Sequence, residues 1–274
     1  MPQYSEEELK LLTQVLPNIA MQLRGAMANV YASAQKLVPP EARDGDKKVD
    51  QTASVFSQSY YQMYRVIGNL NDAAFLAETT PFTLYNDDII GLCRGVCEKT
   101  EDLFALSGVT LSFTADCPSC IIGMDTELVE RMLLNLLSNA LKFTPRGGRV
   151  SVSVKAAGRN VLLRVADTGC GIAADRLDRI FDRFLDVDRF DPAPHGLGLG
   201  LAICRRIAQG HGGRIMAESE EGVGTVFTVS LPNVKSPNSR LRDVRMDSYG
   251  GFNPYLVQLS DALDAEAFSQ KYLD

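Results

Sequence analysis

The sequence predicts an α+β protein in which a helical hairpin is followed by a two-layer α/β sandwich. Up to residue 79, apolar residues recur every seven positions, a spacing that belongs to helices. From residue 80 to 233, stretches of strand-like period alternate with helical ones, which is typical of helices packed on a mixed sheet. Residues 234–274 begin polar and turn-rich and end in a helical pattern. We therefore expect domains at 1–79 and 80–233, then a linker and a short carboxy-terminal helix.

The first 79 residues predict two antiparallel helices. Ser5 and Glu8 form the capping-box pattern that starts the first helix, and the prolines and glycine of residues 39–46 end it. Pro17 removes a hydrogen bond from the helix interior, so we expect a kink between residues 13 and 17.

A seam of apolar and small residues continues along both helices. Two helices cannot bury both seams on each other alone, so we expect a homodimer that forms a four-helix bundle. The seam consists of Leu9, Leu16, Leu23, Val30 and Leu37 with Leu12, Ile19, Ala26 and Ser33 in the first helix, and of Val49, Phe56, Met63, Leu70 and Ala77 with Thr52, Ser59, Val66 and Ala73 in the second.

The second domain is predicted to contain seven strands and three main helices. The strands are expected at 82–86, 109–115, 120–124, 148–157, 160–169, 214–220 and 224–231, and the helices at 88–108, 126–144 and 197–209. The final segment, 254–272, can form a short helix with Leu256, Leu259 and Leu263 on one side. The sequence does not decide whether this segment docks on its own domain or on a partner.

Composition narrows the class of protein. The chain has 274 residues and a net charge of −6, without a basic stripe, which argues against general nucleic-acid binding. No apolar run approaches the roughly 20 residues that span a bilayer, and no secretion leader opens the chain. We expect a soluble, cytoplasmic protein without a membrane span in this chain.

Six cysteines allow two interpretations. Cys93 with Cys97, and Cys117 with Cys120, suggest zinc ligands, but the spacing fits no common zinc finger or ribbon. The alternative is that Cys93 and Cys97 are small apolar residues on one helix face, while Cys117 and Cys120 flank a turn. We expect thiols.

Two stretches carry amide, carboxylate and glycine groups suited to a nucleotide. Asn135, Asn139 and Lys142 share one helix face, where an amide oxygen can bind Mg²⁺ and the lysine can meet a phosphate. In residues 167–172, Asp167 ends a strand and can accept a hydrogen bond from an exocyclic amine, and the glycines that follow let the backbone approach a ring.

Two further stretches complete the pattern. Residues 180–184 (IFDRF) place two aromatic side chains on a short helix. Residues 195–203 (HGLGLGLAI) form a glycine-rich loop that enters a helix, where free amides and the helix dipole favour phosphate. Each stretch alone also has a structural explanation, since a lone glycine loop is weak evidence for a ligand.

In this order the four stretches resemble the N, G1, F and G2 boxes of the histidine-kinase ATP-binding domain, a Bergerat fold shared with gyrase, Hsp90 and MutL. The resemblance covers residues 81–233 and implies ATP and Mg²⁺ as cofactors. For the metal and the phosphates on the helix, the resemblance implies that Asn139 binds Mg²⁺ with support from Asn135 and that Lys142 contacts phosphate. For the base, it implies that Phe143 packs nearby and that Asp167 accepts a hydrogen bond from the adenine amino group, with Gly169 and Gly171 shaping the pocket floor. For the rest of the phosphate site, it implies that the loop glycines bind the phosphates beneath a lid of residues 185–195; these are Gly196, Gly198 and Gly200.

The residue type at the position of Asn135 differs between the branches of this group of ATP-binding proteins. The gyrase, Hsp90 and MutL branch carries a glutamate there, which activates the attacking group. An amide cannot accept a proton at neutral pH, so hydrolysis by that route is disfavoured. Histidine kinases also carry asparagine at this place, so the resemblance to them becomes closer.

The hairpin resembles the dimerisation and phosphotransfer domain of histidine kinases, whose first helix carries H-E-L-R-T-P-L. Alignment on Leu23-Arg24 places Met21 at the nucleophilic histidine and Gln22 at the neighbouring acid, with Gly25 and Ala26 at the threonine and proline positions. A thioether has no lone pair basic enough to attack ATP and no proton to release.

No alternative register supplies the missing imidazole. The two histidines stand at 195 and 211, and for both we expect structural roles.

Three functions remain open. The first is a pseudokinase scaffold of a two-component signalling system, dimeric and ATP-binding, that docks a response regulator or another kinase without autophosphorylation. The alternative is an ATP-dependent kinase that phosphorylates a histidine on a separate partner protein. A second alternative is a non-catalytic interaction module with a vestigial pocket.

Overall fold

The computed structural model describes residues 5, 7–8, 11–77, 81–182, 198–237 and 252–273, with the side chains of Leu12, Ala73 and Leu273 left aside. The chain divides into two compact units. One comprises 1–79 together with 252–274, and the other comprises 80–251. The carboxy-terminal segment thus belongs to the hairpin unit, a choice that the sequence left open.

The helices of the first unit come from both ends of the chain. A π-helical stretch, Leu11–Val15, precedes α1, and a 3-10 turn, Ala265–Phe268, lies between the last two helices. The α-helices are α1 (Leu16–Leu37), α2 (Pro40–Gly45), α3 (Lys47–Ala77), α8 (Pro254–Leu259) and α9 (Gln270–Leu273).

The start of the hairpin confirms the predicted capping box. The Ser5 backbone N–H donates to Glu8 Oε2 at 2.8 Å, and the Glu8 N–H donates to Ser5 Oγ at 3.2 Å. The disturbance expected near Pro17 takes the form of the π-helical stretch, after which α1 begins with Pro17 in its first turn. Proline is tolerated there because the amide of a first-turn residue has no partner inside the helix.

The loop predicted over residues 39–46 was only partly right, because it contains helix α2. Pro40 stands at the first helical position, where its fixed φ favours a helix start, so a residue read as a breaker begins a helix. Arg43 of this helix is 8% exposed and pairs with Asp50 Oδ1 at 2.8 Å. The connection is therefore an ordered part of the unit.

The hairpin buries one set of side chains between its two helices and leaves the large side chains of the predicted apolar seam exposed to solvent. Ala20 and Tyr31 of α1 meet the α3 face that carries Tyr60, and the Tyr31 and Tyr60 ring centroids are 4.4 Å apart. The described large side chains of the seam include Ile19, Leu23, Val30 and Leu37 on α1 and Phe56, Met63 and Val66 on α3, and these are between 37% and 82% exposed.

The strands of the second unit that the structure describes form two sheets. Strands β4 and β5 form the predicted hairpin, and β2 joins β4 in parallel, so the larger sheet is mixed with the order β2-β4-β5-β7-β6. β1 and β3 form a separate antiparallel pair. The strands are β1 (Tyr85–Asp88), β2 (Thr110–Ala115), β3 (Ile121–Met124), β4 (Arg149–Ala157), β5 (Asn160–Asp167), β6 (Arg214–Glu220) and β7 (Gly224–Pro232).

The described part of this unit also contains the helices α4 (Ile89–Leu106), α5 (Thr126–Phe143), α6 (Ala174–Leu177) and α7 (Gly200–Gly210). The apolar face of α5 supplies much of the core, with Leu133, Leu136 and Leu137 each 0% exposed. Cys93 and Cys97 are buried on α4, as the apolar interpretation predicts. In the described part of the chain, no helix combines the length and apolar character that a bilayer crossing needs.

Two predicted elements differ from the observed ones, one in where it begins and one in its continuity. The strand predicted at 82–86 begins at Tyr85, because its pairing with β3 sets its register. Phe82 instead lies against His211, with their ring centroids 5.3 Å apart. The helix predicted over 254–272 is broken into α8, the 3-10 turn and α9.

Candidate nucleotide-binding site

Helix α5 presents the predicted polar face. Asn135 is buried at 7% exposure, and Asn139 and Lys142 follow on the same face at partial exposure. Phe143 ends the helix with 46% of its surface exposed, and the Lys142 Nζ lies 5.6 Å from its ring centroid. An apolar ring and an ammonium group therefore flank one edge of the site.

Asp167 at the end of β5 is held by backbone amides from two places. Its Oδ1 accepts hydrogen bonds from the Gly169 N–H at 2.8 Å and the Thr225 N–H at 3.3 Å. Burial raises the pKa of the Asp167 carboxyl, and the two amide hydrogen bonds partly oppose that rise. Among the described residues, no hydrogen bond is donated to Oδ2, which leaves that oxygen to accept a hydrogen bond from a ligand amine.

The two glycines after Asp167 allow the backbone to pass closely between other elements. A Cβ on Gly169 would lie 2.5 Å from the Phe143 carbonyl oxygen. A Cβ on Gly171, where φ is 68°, would lie 2.0 Å from the Glu220 carbonyl oxygen. Neither position can hold a side chain without moving backbone. Residues 169–171 are thus wedged between the end of α5 and the β6–β7 turn.

The glycine-rich loop is described only from Gly198, where φ is 66°. Gly200 begins α7, and a Cβ built on it would lie 3.6 Å from Asn135 Oδ1, so the α7 start faces the polar side of α5. Leu199 at the N-cap makes no side-chain hydrogen bond to this helix start, and the amides of a helix start favour an anion. Gly196, His195 and the lid at 185–195 lie outside the described residues.

The expectation for residues 180–184 was partly wrong. Helix α6 ends at Leu177, so Phe181 lies in a turn after it and not on a helix. Its ring meets Phe227 of β7 edge-on, with centroids 6.3 Å apart. Phe184 lies outside the described residues.

His211 has a structural role at the ends of α5 and α7 that lie away from the site residues. Its Nδ1–H donates to the Ile207 carbonyl at 2.7 Å, and its Nε2 accepts from the Asp125 N–H at 2.9 Å. The ring is 5% exposed, and burial holds the pKa of His211 below its usual 6.5. These bonds connect the end of α7 to the start of α5, because Asp125 caps α5 through a bond to the Leu128 N–H.

Sequence reasoning missed the part played by Thr225. Its amide bonds Asp167 because β5 pairs with β7, with Asp167 opposite Thr225. Ser219 extends the same network, since its Oγ accepts from the Ile172 N–H at 2.8 Å. Both contacts depend on strand pairing, which no local motif indicates.

Comparison with known proteins agrees with this geometry. Residues 124–235 match the family described as histidine kinase-, DNA gyrase B- and HSP90-like ATPase. The adaptive-response sensory kinase SasA of Crocosphaera subtropica is 30% identical over 236 residues, which cover 83% of this chain and 61% of SasA. The chain thus spans less than two thirds of this relative.

Solved structures show the same fold. Full-length ShkA in complex with AMPPNP superposes with a TM-score of 0.62 at 27% identity, covering 82% of this chain and 46% of ShkA. Histidine kinase ThkA, in complex with the response regulator TrrA, gives a TM-score of 0.54 at 21% identity over 85% of this chain and 65% of that chain, a likeness of fold. Residues 124–235 thus carry an ATP-binding domain of the histidine kinase-, DNA gyrase B- and HSP90-like type, and the chain is similar to histidine kinases over most of its length.

Proposed function

We propose that this chain is a histidine-kinase-like, ATP-binding scaffold of a two-component signalling system that does not phosphorylate itself. The observation that carries the proposal is Met21. It lies on α1 with 66% of its surface exposed, and the alignment on Leu23-Arg24 puts it where histidine kinases carry the phosphoacceptor histidine. The side chain is accessible, but the exposed group is a thioether, which can neither attack phosphorus nor release a proton.

The two histidines of the chain do not replace it. Both ring nitrogens of His211 are engaged by backbone groups, and the ring is buried, so a phosphoryl group would have to break its bonds to Ile207 and Asp125. His195 belongs to the glycine-rich stretch of the ATP-binding domain, outside the hairpin. Neither stands on the helix that presents Met21.

The nucleotide roles of the site residues follow from the chemistry of their groups. Asp167 holds one carboxylate oxygen toward an exocyclic amine, and Phe143 offers an exposed ring for the base. The amide oxygens of Asn139 and Asn135 suit Mg²⁺, which prefers oxygen ligands and binds together with the phosphates of its nucleotide.

Phosphate contacts are assigned to the polar face of α5 and to the start of α7. Lys142 supplies a cation, and the amides of Gly198 and Gly200 at the start of α7, with Gly196 before them, supply donors. Mg²⁺ would offset the phosphate charge when bound. Asn135 occupies the place of a catalytic glutamate and cannot take a proton from water, so we infer retention of ATP, not hydrolysis.

Homodimerisation is supported by the open seam. Exposed apolar side chains, among them Val30 and Met63, recur along the predicted seam of both α1 and α3. A second copy carries the same seam, and two hairpins together bury both as a four-helix bundle. We therefore propose that the protein is a dimer through the hairpin.

A response regulator is the proposed partner, or alternatively another kinase. The similar fold of ThkA is known in a complex with the response regulator TrrA. A scaffold with the same architecture and no phosphoacceptor can hold such a partner and change its own shape with nucleotide.

A second candidate function is phosphorylation of a histidine on a separate partner. The ordered Asp167, Gly169 and Gly171 geometry favours it, because a pocket of this kind can present a γ-phosphate to any imidazole that reaches it. A vestigial pocket is the third candidate and is disfavoured by the same geometry.

One experiment separates the three candidates. The purified chain is incubated with Mg²⁺ and γ-labelled ATP, with and without candidate receiver domains or kinases, while nucleotide binding is followed by calorimetry. Binding without label transfer supports the scaffold. Label on an added partner's histidine supports the second candidate, and no binding at millimolar Mg-ATP supports the third.

A further inference from the structure

The carboxy-terminal segment, residues 252–273, lies on a face of α3 that none of the proposed functions uses. Its buried side chains include Leu256, Leu259 and Phe268, all 0% exposed. The segment approaches α3 across a face distinct from the open seam, because Gln58, Gln62 and Arg65 occupy other helical positions than Phe56, Met63 and Val66. Segment and seam are therefore separate surfaces of one helix.

Polar side chains of α3 donate hydrogen bonds to backbone carbonyls of the segment. Gln58 Nε2 donates to the Leu263 carbonyl at 2.8 Å, Gln62 Nε2 donates to the Ser260 carbonyl at 3.3 Å, and the Arg65 guanidinium donates to the Gln258 carbonyl. The donors advance along α3 while the acceptors go back along the segment, so the two run antiparallel. Backbone recognition of this kind is typical of peptide-binding surfaces.

An aromatic anchor fixes one end of the segment. The Phe252 ring lies among four tyrosines, with centroid distances of 5.2 Å to Tyr31, 5.2 Å to Tyr60, 5.7 Å to Tyr61 and 5.3 Å to Tyr64. Aromatic pairs at such distances stabilise beyond the area that they bury.

Charged side chains hold the middle and the end of the segment. Arg65 Nε lies 3.3 Å from Asp261 Oδ2, with both side chains under 20% exposed. Arg43 Nη2 donates to the Phe268 carbonyl at 2.9 Å, and the Gln270 N–H donates to Asp50 Oδ1 at 3.3 Å. The segment is thus held by an anchor at its start, an ion pair in its middle and the Arg43–Asp50 pair at its end.

The segment depends on α3 for its structure. Its helices have 6 and 4 residues and its 3-10 turn has 4, whereas isolated helices below about 12 residues are marginal in water. A segment of this kind orders when it binds and loses its order when it leaves.

We infer that the α3 face bearing Gln58, Gln62 and Arg65 is a peptide-binding site, and that residues 252–273 are its tethered, exchangeable ligand. A partner protein that uses this face has to displace the segment first, and it would carry the same features: an aromatic anchor, free carbonyls and an acidic residue for Arg65. The inference does not depend on ATP binding.

The test uses the full chain with a specific protease site inserted between residues 240 and 248. After folding and cleavage, the released fragment is expected to remain bound and to co-elute with the rest of the protein. A fluorescent peptide of residues 250–274 is then added in excess, and its anisotropy reports exchange. We expect the labelled peptide to replace the resident fragment within hours.

Two peptide variants define the contact. Phe252→Ala is expected to weaken binding at least tenfold, about 1.4 kcal/mol, whereas Glu266→Ala, at an exposed position of the 3-10 turn, should bind like the natural peptide. Arg65→Gln, introduced into the protein that carries the protease site, should also weaken binding of the labelled peptide. Loss of the fragment on cleavage would overturn the inference, and so would a fragment that stays bound but never exchanges. Equal affinity of the Phe252→Ala peptide and the natural peptide would overturn it as well.

Discussion

The carboxylate of Asp167 and the backbone amide of Thr225 are joined by a hydrogen bond of 3.3 Å between strands β5 and β7. This bond, with the 2.8 Å bond from the Gly169 amide, occupies Oδ1 and orients the whole carboxylate. The base-recognition group of the proposed site is therefore positioned by the central part of the larger sheet and not by a loop alone.

Asp167→Asn should weaken ATP binding at least tenfold without unfolding the chain. The amide oxygen of the substituted side chain can still accept from the Gly169 N–H, but its NH₂ group would face the adenine amine donor to donor. A hydrogen bond to a charged group contributes about 1.5–3 kcal/mol. Calorimetric titration with ATP measures the loss. Asp116→Asn is the matched control, since Asp116 bonds the Ala156 N–H at the far strand edge, and equal losses in both variants would contradict the assignment.

Asn139→Ala should remove the Mg²⁺ dependence of nucleotide binding and leave the dimer intact. The natural protein is expected to bind ATP at least tenfold more tightly with Mg²⁺ than with a chelator, because the metal joins the amide oxygen to the phosphates. The variant should bind equally weakly in both buffers. Asn160→Ala, at the exposed start of β5, provides the control. Unchanged Mg²⁺ dependence in Asn139→Ala would show that the metal site was misassigned.

Met63→Asp should convert the protein from dimer to monomer. Met63 is 49% exposed within one hairpin, so a charge there costs little in a monomer, but it would be desolvated inside a four-helix bundle. Light scattering after gel filtration gives the mass. Gln35→Asp introduces the same charge at an exposed position of α1 away from the seam and should leave the dimer unchanged. A Met63→Asp protein that stays dimeric would exclude this interface.

Stability should fall with pH below the usual pKa of histidine because of His211. Its pKa is lowered in the folded state, so between that lowered value and 6.5 the unfolded chain binds more protons. The contribution of neutral His211 is complete above pH 6.5 and is lost as the pH falls through this window. His211→Asn should cost roughly 1–3 kcal/mol at pH 7.5, from its hydrogen bonds.

Urea unfolding between pH 7.5 and 5.5 checks this prediction. The difference in unfolding free energy between the natural protein and His211→Asn should shrink as the pH falls through this window. A difference that stays constant over this range would mean that His211 has the same pKa in the folded and the unfolded chain, and would contradict the prediction.

The sequence predicted the elements that have a strong local period. The strands of the β4–β5 hairpin alternate clearly, and α5 combines a broad apolar face with caps, so both could be predicted from neighbours in the chain. The N-terminal capping box was predicted for the same reason. Helical spacing placed Asn135 and Asn139 on one face of α5, and the strand pattern placed Asp167 at the end of β5, because these periods fix which side chains share a face. The nucleotide roles of these residues stay predictions that rest on the resemblance.

The elements and contacts that the sequence did not predict have one local cause and two long-range causes. Helix α2 was missed because Pro40 begins a helix in a stretch where proline usually ends one. The place of residues 252–273 depends on donors such as Gln58 and Arg65, some 200 positions earlier, which no periodicity connects to it. Thr225 was missed because its role arises from strand pairing.

Phosphoryl transfer to the hairpin tests the central claim most directly. The purified chain is incubated with Mg²⁺ and γ-labelled ATP, kept at alkaline pH to protect phosphohistidine, digested and mapped by mass spectrometry, with an autophosphorylating histidine kinase treated in parallel. We predict bound nucleotide and no phosphorylated residue between 5 and 77, where Met21 replaces the imidazole. An acid-labile phosphoryl group recovered from that range would contradict the proposal.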